Sequence, residues 1–306
     1  MRAFIFPGQG SQAVGMGKAL AEAGAAARHL FEEVDEALGQ NLARLMAEGP
    51  IEELTLTENA QPAIMANALA TLRVAGVDIR KAGFVAGHSL GEYTALAAAG
   101  SFNVATAARL LKRRGRAMQE AVPVGQGAMA ALLGAGLDIA EQVAEAAAQG
   151  EICAVANDND PSQVVLSGHR GAIERALEIA KEKGAKRALL LPVSAPFHSP
   201  LMEPAARVME RALAETDIAA PAVPLYANVT AAPVSDPDEI RRLLVEQVTG
   251  MVRWRESVAA MAAAGVTHFV EFGGKVLSPM VKRIAPDART TSVVTMEDIE
   301  ALAKEI

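Results

Sequence analysis

A serine between two glycines is the feature of this sequence most suited to covalent chemistry. Residues 87–91 read GlyHisSerLeuGly, so that Ser89 lies at the centre of a GxSxG pattern. In such an elbow the serine occupies a strained turn between a strand and a helix, where glycines avoid clashes with the tight backbone. The flanking residues fit this geometry, because 84–86 are apolar and 90–99 are rich in Leu and Ala. We predict that Ser89 is a nucleophile; the alternative is a chance cluster of small residues.

A serine hydroxyl requires a nearby base, and histidine is the usual one. Of the five histidines, His198 lies in the proline-bounded loop 193–200, where a side chain can be held over a cleft. The other four have simpler interpretations in a helix, in a strand or on the far side of the elbow: His29, His88, His169 and His268. His198 is therefore the candidate base, and a loop histidine bonded to the backbone is the alternative.

One arginine lies on the wrong side of a basic helix. A helix is predicted from Asn103 to Glu120, and its other basic residues form one solvated stripe: Arg109, Lys112, Arg113 and Arg116. Arg114 instead shares the apolar face, where an unpaired charge is costly. A buried guanidinium pairs well with a planar carboxylate, which a substrate or a protein Asp or Glu could supply.

The elements around these residues predict an α/β protein. Residues 2–6 form the predicted opening strand, and later strands alternate with helices, which implies a mostly parallel sheet with its active site at the carboxyl ends. Residues 126–193 differ. Their predicted strands are 128–133, 152–157, 163–168 and 186–191, and their helices are 139–149 and 172–183. This βαββαβ order is ferredoxin-like, so we predict a subdomain at 126–193 inserted in a core of 1–125 and 194–306.

Composition excludes several classes of function. The 306 residues are 51% hydrophobic and 21% charged with a net charge of −7, which disfavours nucleic acid as a partner. Apolar runs end well before the ~20 residues needed to span a bilayer, and the first residues do not form a signal peptide, so we expect a cytoplasmic protein without membrane contact. Cys153 is expected to be a buried apolar residue, and the scattered histidines predict no metal site.

Several further motifs accompany the elbow in a fixed order. They are PheProGlyGlnGlySerGln (6–12), AlaGlnProAla (60–63), GlyHisSerLeuGlyGluTyr (87–93), ArgGlyArgAlaMetGln (114–119), GlyAlaMetAla (127–130), GlnValValLeuSerGly (163–168), ProPheHisSer (196–199) and ValArgTrp (252–254). With these motifs the chain resembles the malonyl-CoA:acyl-carrier-protein transacylases from Phe6 to about Arg283. The resemblance implies an α/β-hydrolase-like core with a ferredoxin-like insertion, as the predicted elements also indicate.

The resemblance also implies roles for individual residues. Ser89 becomes the acylated nucleophile and His198 its general base and acid, while the backbone amides of Gln9 and Leu90 form the oxyanion hole. Arg114 would bind the carboxylate of the substrate. The alternative for the loop 7–12, a phosphate cradle, lacks the three-glycine spacing and the following helix.

Two more residues receive roles in the same way. Gln247 would orient His198 through its side-chain carbonyl or a nearby backbone carbonyl, and Phe197 would favour malonyl over an α-methyl-branched acyl group. The chain departs from the family pattern at Gly250, where proline is common, and at 273–275, where one residue of a GlyProGlyLys-like run is missing.

The implied reaction is a ping-pong transfer of malonyl from malonyl-CoA, through malonyl-Ser89, to the phosphopantetheine thiol of acyl carrier protein. No bound cofactor is expected, and the enzyme is expected to be a monomer. The carrier is acidic, and a candidate basic docking patch consists of Lys181, Lys183, Lys186 and Arg187, which could equally be an ordinary solvated face. The alternative activity is a serine hydrolase or thioesterase that acts on a carboxyacyl thioester.

Overall fold

Both predicted sheets are present in a computed structural model, which describes residues 1–193 and 195–306; Ser194, the first residue of the predicted second core segment, lies outside the described residues. The strands are β1 Arg2–Phe6, β2 Phe84–Gly87, β3 Gly127–Leu133, β4 Cys153–Asp160, β5 Gln163–His169, β6 Arg187–Leu190, β7 Leu225–Ala227, β8 Ala232–Val234, β9 His268–Phe272 and β10 Arg289–Val293.

The helices surround these strands. They are α1 Lys18–Ala23, α2 Ala25–Leu38, α3 Leu42–Glu48, α4 Ile51–Thr55, α5 Thr57–Ala75, α6 Leu90–Ala98, α7 Val104–Glu120, α8 Leu137–Ala148, α9 Arg170–Glu182, α10 Glu203–Ala214, α11 Pro237–Thr249, α12 Trp254–Ala263, α13 Leu277–Ile284 and α14 Met296–Ala303. Short 3-10 turns occur at Ile79–Lys81 and Pro200–Met202. Within the described ranges, no helix has both the length and the apolar character needed to cross a membrane.

The larger sheet has the order β10-β9-β1-β2-β7-β8. All of its pairs are parallel except β7 with β8. Strand β1 is central, and its residues 3–6 are fully buried because the sheet is covered on both faces. Strands β8 and β10 were not predicted, since β8 has only three residues and β10 is mostly polar and partly exposed. The prediction of a mostly parallel core sheet is confirmed.

The insertion forms a separate antiparallel sheet of order β4-β5-β3-β6, with α8 and α9 packed against it. This is the strand order of a ferredoxin-like fold, so the predicted βαββαβ arrangement is confirmed. It has an apolar cluster of its own that includes Leu132, Val143, Leu166 and Ile173. The insertion is thus built as a second layer of structure with its own core.

Strand β4 is longer than the sequence predicted. The predicted strand ends at residue 157, because AspAsnAspProSer (158–162) is typical of a turn, yet residues 158–160 continue the strand with register shifts. The core holds this extension in place: Asp158 donates its backbone N–H to Val252, and Val252 donates to Ala156. Two buried carboxylates add ion pairs across the same boundary, Asp158 with Arg255 and Asp160 with Arg283, at 2.8 and 2.7 Å. Tertiary contacts therefore overrode the local turn signal.

Candidate active site

Ser89 occupies the turn between β2 and α6, with a positive φ of 54° that a non-glycine residue rarely adopts. The flanking glycines allow this turn to pack tightly. A Cβ on Gly87 would lie 1.9 Å from the carbonyl oxygen of Gly91, and one on Gly91 would lie 2.3 Å from the carbonyl oxygen of Phe6. Only hydrogen atoms fit there, so the GxSxG pattern is a steric requirement of the elbow.

His198 lies beside the elbow, on the loop before the Pro200–Met202 turn, and is 4% exposed. Its Nε2 is 2.8 Å from Ser89 Oγ. Its Nδ1 lies 2.9 Å from the carbonyl oxygen of Gln247 and 3.2 Å from that of Gly250. Because both of these atoms can only accept, Nδ1 must carry the proton, and Nε2 is left free to accept a proton from the serine.

The surroundings keep this histidine neutral. Burial, and after it the positive charge of Arg114, lower the pKa of His198 from 6.5 to about 3. A neutral imidazole is the form that can act as a base, so His198 is ready for proton transfer at neutral pH.

Arg114 lies on α7 and is 1% exposed. Its guanidinium donates to Gln61 Oε1 and Gln247 Oε1, both at 2.8 Å, and to Ser89 Oγ at 3.1 Å. Within the described residues it forms no ion pair with a carboxylate, and its Nε has no hydrogen-bond partner. The alternative of an internal salt bridge is therefore not realised. The guanidinium is oriented by neutral amides and faces Ser89 Oγ.

The side chain of Gln247 connects the arginine to the elbow. Its Nε2 donates to the backbone carbonyl of Ser89 at 3.0 Å and to Glu92 Oε2 at 2.9 Å, while its Oε1 accepts from Arg114. Since the side-chain oxygen is engaged with Arg114, it is the backbone carbonyl of Gln247 that bonds to His198. Gly250, a departure from the family pattern, supplies the second carbonyl.

Two residues of this network were missed at the sequence level. Glu92 is 1% exposed on α6, and Asn228, just after β7, is also 1% exposed. Asn228 Oδ1 accepts from the Ser89 amide at 2.8 Å, and its Nδ2 donates to the Gly87 carbonyl at 2.7 Å. Glu92 is part of the motif at 87–93 and is a carboxylate within a Leu- and Ala-rich helix, but neither feature gave it a role. Asn228 lies at a strand end without a distinctive pattern.

A cavity of about 140 Å³ opens onto Ser89 Oγ. It is lined by both predicted oxyanion residues, Gln9 and Leu90, by Phe197, and by apolar side chains of the insertion: Met129, Leu191 and Val193. The loop that bears Gln9 can lie against the elbow because Gly8 has no side chain; a Cβ there would lie 2.8 Å from the carbonyl oxygen of His88. All seven predicted site residues are thus brought to one cavity or to its hydrogen-bond network.

The remaining histidines have other partners. His88 lines the cavity, but its Nε2 is 2.7 Å from Asn159 Oδ1 and not bonded to the serine. His169 accepts from the Ile152 amide, and His268 bonds to Thr291. His29 is exposed on α2.

The structure also shows the surroundings of Cys153. Cys153 is half-buried and not fully buried as expected, yet burial still raises the pKa of its thiol to about 11. A thiol with so high a pKa is a poor nucleophile at neutral pH.

The candidate basic patch is exposed, and Lys181 pairs with Glu178 there. In the altered run at 273–275, a Cβ on Gly273 would lie 2.6 Å from Ala68 Cα, so the run packs tightly against α5.

A serine elbow, a neutral histidine and a mostly parallel sheet are the features of an α/β-hydrolase-like protein, and they are suited to nucleophilic attack on an acyl carbon. Comparison with known proteins agrees. The model of the acyl transferase domain family matches residues 3–279, and the chain belongs to this family. It is an acyltransferase.

Both the relatives and the solved structures are similar to this chain over nearly their full length. The malonyl CoA-acyl carrier protein transacylase of Bacillus subtilis is 46% identical over 97% of this chain and 95% of its own. That of Escherichia coli K12 is 45% identical over 99% of both. The acyl-carrier-protein-S-malonyltransferase structure from Bartonella henselae has a TM-score of 0.97 at 52% identity, covering 99% of this chain and 98% of its own. A malonyl-transacylase solved in complex with its type II PKS acyl-carrier protein has a TM-score of 0.96 at 38% identity, covering 100% and 99%.

Proposed function

We propose that this acyltransferase moves a malonyl group from malonyl-CoA to the phosphopantetheine thiol of acyl carrier protein through a malonyl-Ser89 ester. The relatives named above support both the donor and the acceptor. The observation that favours a malonyl group over other acyl groups is the position of Arg114: its buried guanidinium has no carboxylate partner in the part of the chain that the structure describes and lies 3.1 Å from Ser89 Oγ.

The short distance between Arg114 and Ser89 restricts the acyl group. In a malonyl ester one methylene separates the carboxylate from the acyl carbon, so the carboxylate lies near Arg114 whenever the acyl carbon is bonded to Ser89. A charge-assisted pair with a carboxylate would be strong in this buried site. An acetyl group cannot form that pair and would leave the guanidinium without an anion in direct contact.

The first half-reaction loads the enzyme. Ser89 Oγ attacks the thioester carbonyl carbon as its proton passes to Nε2 of His198, and the backbone amides of Gln9 and Leu90 stabilise the tetrahedral oxyanion. When the intermediate collapses, the C–S bond breaks and His198 gives its proton to the departing CoA sulfur. The product is malonyl-Ser89 with free CoA thiol.

The second half-reaction unloads it. The phosphopantetheine thiol gives its proton to His198, its sulfur attacks the ester carbonyl, the C–O bond breaks, and Ser89 regains the proton from His198. Because the pantetheine arm arrives on the carrier, the enzyme itself needs no bound cofactor. The carbonyls of Gln247 and Gly250 orient His198 without adding an anion next to the malonyl carboxylate.

Docking and organisation complete the proposal. The insertion, taken as residues 126–193, supplies one apolar wall of the cleft between it and the core at 1–125 and 194–306. The acidic carrier would bind the exposed patch Lys181, Lys183, Lys186 and Arg187, since opposite charges favour encounter. We infer that the enzyme acts as a cytoplasmic monomer.

Phe197 is the residue proposed to exclude branched acyl groups. It is 9% exposed and lines the cavity directly before His198. Because an apolar pocket discriminates a methyl group by roughly 1–3 kcal/mol, Phe197→Ala should raise methylmalonyl relative to malonyl transfer about tenfold. Competition between the two CoA thioesters measures the ratio; an unchanged ratio would remove Phe197 from this role.

Intact-protein mass spectrometry tests the function directly. After mixing with malonyl-CoA, the unaltered enzyme should gain one malonyl group, peptide mapping should place it on Ser89, and Ser89→Ala should gain none. Carrier protein bearing phosphopantetheine should then discharge the adduct quickly, whereas carrier without the arm should not. Discharge by water at the same rate would instead establish a hydrolase, with the same nucleophile and base.

A further inference from the structure

Glu92 is a buried carboxylate for which the proposed reaction has no use. It lies on the first turn of α6, three residues after the nucleophile, and is 1% exposed. Its Oε2 accepts from Gln247 Nε2 at 2.9 Å and from the backbone amide of Asn228 at 3.1 Å. It belongs to no salt bridge within the described parts of the chain. A carboxylate so fully removed from water requires a physical reason.

Glu92 is separated from Arg114 by one amide group. Gln247 Nε2 donates to Glu92, and Gln247 Oε1 accepts from Arg114 Nη2 at 2.8 Å. This arrangement fixes the orientation of the amide, because only the NH₂ end can face a carboxylate and only the oxygen can face a guanidinium. Glu92 therefore holds Gln247 in the orientation in which it positions Arg114.

The same arrangement balances charge. With the substrate absent and Glu92 ionised, one buried cation and one buried anion give a site with no net charge. A malonyl carboxylate would introduce a second anion into this site, where the low dielectric makes an unbalanced charge expensive. The least costly way to restore neutrality is to add a proton to one of the two carboxylates, and the substrate carboxylate has the direct contact with the guanidinium.

We propose that Glu92 is a positioning residue that serves as the resident counterion of Arg114, through Gln247, and that it takes up one proton from solvent when a substrate carboxylate binds Arg114. This inference rests on the proposed function, since it requires Arg114 to bind the acyl carboxylate. The proton neutralises Glu92, while its hydrogen bonds from Gln247 and Asn228 can persist to the carbonyl oxygen of the acid.

The groups around Glu92 leave it as the best proton acceptor. Burial raises the pKa of Glu92 to about 7, with the hydrogen bonds from Gln247 and Asn228 and the charge of Arg114 opposing this rise. Three other titratable groups lie near the network. Burial raises the pKa of Tyr93, which is on α6. Burial also lowers the pKa values of His88 and His198, which are on the adjoining turns. From α11 and the residue after β7, the facing groups are the neutral amides of Gln247 and Asn228.

Calorimetry can count this proton. We would titrate Ser89→Ala, which cannot be acylated, with malonyl-CoA and with acetyl-CoA in two buffers at each pH: Hepes and Tris at about pH 8, and Mes and piperazine at about pH 5.5. The two buffers of a pair differ in ionisation heat, so the difference between the measured heats reports the protons taken up. Malonyl-CoA should take up close to one proton at about pH 8 and almost none at about pH 5.5, where Glu92 is already protonated. Acetyl-CoA should take up none at either pH.

The isosteric variant Glu92→Gln assigns the site. Added to Ser89→Ala, it should abolish the proton uptake. It should also remove the pH dependence of malonyl-CoA affinity. With Glu92 present, that affinity should fall by up to about tenfold per pH unit above neutrality. Uptake that persists in Glu92→Gln, or no uptake in Ser89→Ala alone, would overturn the inference. If malonyl-CoA binds no more tightly than acetyl-CoA at any pH, the proposed function fails instead.

A second measurement covers the case in which Glu92→Gln does not fold. Infrared difference spectra of Ser89→Ala should show the C=O band of a newly protonated carboxylic acid on addition of malonyl-CoA and not of acetyl-CoA. A merely structural Glu92 would give identical spectra with the two ligands in this region, which would contradict the proposal.

Discussion

Arginines at two places in this protein face opposite electrostatic surroundings. At the boundary between core and insertion, Arg255 and Arg283 each contact an Asp that is completely buried, Asp158 and Asp160. In the cavity, Arg114 is itself buried but is held by neutral amides, with no carboxylate in contact within the described residues.

The difference distinguishes arginines that hold the structure together from an arginine that is available to bind a ligand. A buried ion pair between two protein groups is complete, and its effect is to fix the relative positions of two elements. A buried guanidinium with no anion in direct contact is incomplete, and the folded protein retains it only at a cost in stability. Arg114 therefore indicates a ligand-binding site, whereas Arg255 and Arg283 hold the core and the insertion together.

The largest effect is expected from Arg114→Ala. Loss of a buried charged partner typically costs about 2–5 kcal/mol, so malonyl loading of Ser89 should fall by about thirtyfold to several thousandfold. Acetyl loading, which does not use the pair, should change much less. Single-turnover acylation with each CoA thioester measures both rates.

Arg113→Ala is the matched control, because Arg113 is the neighbouring residue on α7 and is exposed. It should leave both rates unchanged. Equal losses of malonyl and acetyl loading in Arg114→Ala would show that the arginine supports the elbow and does not select the substrate.

An intermediate effect is expected at the boundary. Arg255→Ala leaves Asp158 buried without its cation, and because the arginine is itself partly exposed we expect the free energy of unfolding to fall by about 2 kcal/mol. The ratio of malonyl to acetyl loading should stay the same. Chemical denaturation and the loading assay test the two halves of this prediction.

The comparison variant here is Arg44→Ala, which removes a pair with Glu48 that is exposed on both sides. Such pairs contribute about 0–1 kcal/mol, so its unfolding should resemble that of the unaltered protein. A change in acyl preference in Arg255→Ala, without loss of stability, would erase the distinction between the two kinds of arginine.

The smallest effect concerns pH. His198 has a pKa lowered to about 3 by burial first and by the charge of Arg114 second, so it remains the neutral base well below pH 6. The rate of Ser89 acylation at saturating malonyl-CoA should change less than about twofold between pH 5 and pH 6.5. If His198 had an ordinary pKa, the rate would fall more than about tenfold from pH 6.5 to pH 5, because most of the imidazole would be protonated. A steep loss of rate in this range would show that His198 is protonated there and that burial does not control it.

The sequence predicted those parts of the site that depend on local pattern. The elbow follows from glycine spacing, and the burial of Arg114 follows from its phase on α7, because a helix repeats every 3.6 residues and that face is apolar. The βαββαβ order of the insertion was predictable for the same reason, since each of its strands and helices is marked by its own periodicity.

Other features are set by contacts between distant parts of the chain. Glu92 and Asn228 meet across 136 residues, and Asp158 reaches Arg255 across 97. No local pattern marks such partners, so the network behind Arg114 and the extension of β4 through Asp160 were not predictable.

The sequence by itself thus determined the elbow, the candidate base, the buried arginine and the two sheets, because sterics and periodicity act over a few residues. Tertiary structure decided that Arg114 has no carboxylate partner among residues 1–193 and 195–306, that the backbone carbonyls of Gln247 and Gly250 bond to His198, and that Glu92 lies one amide away from the arginine. Those outcomes depend on which buried charges and hydrogen-bonding groups meet in space, and only the folded chain brings them together.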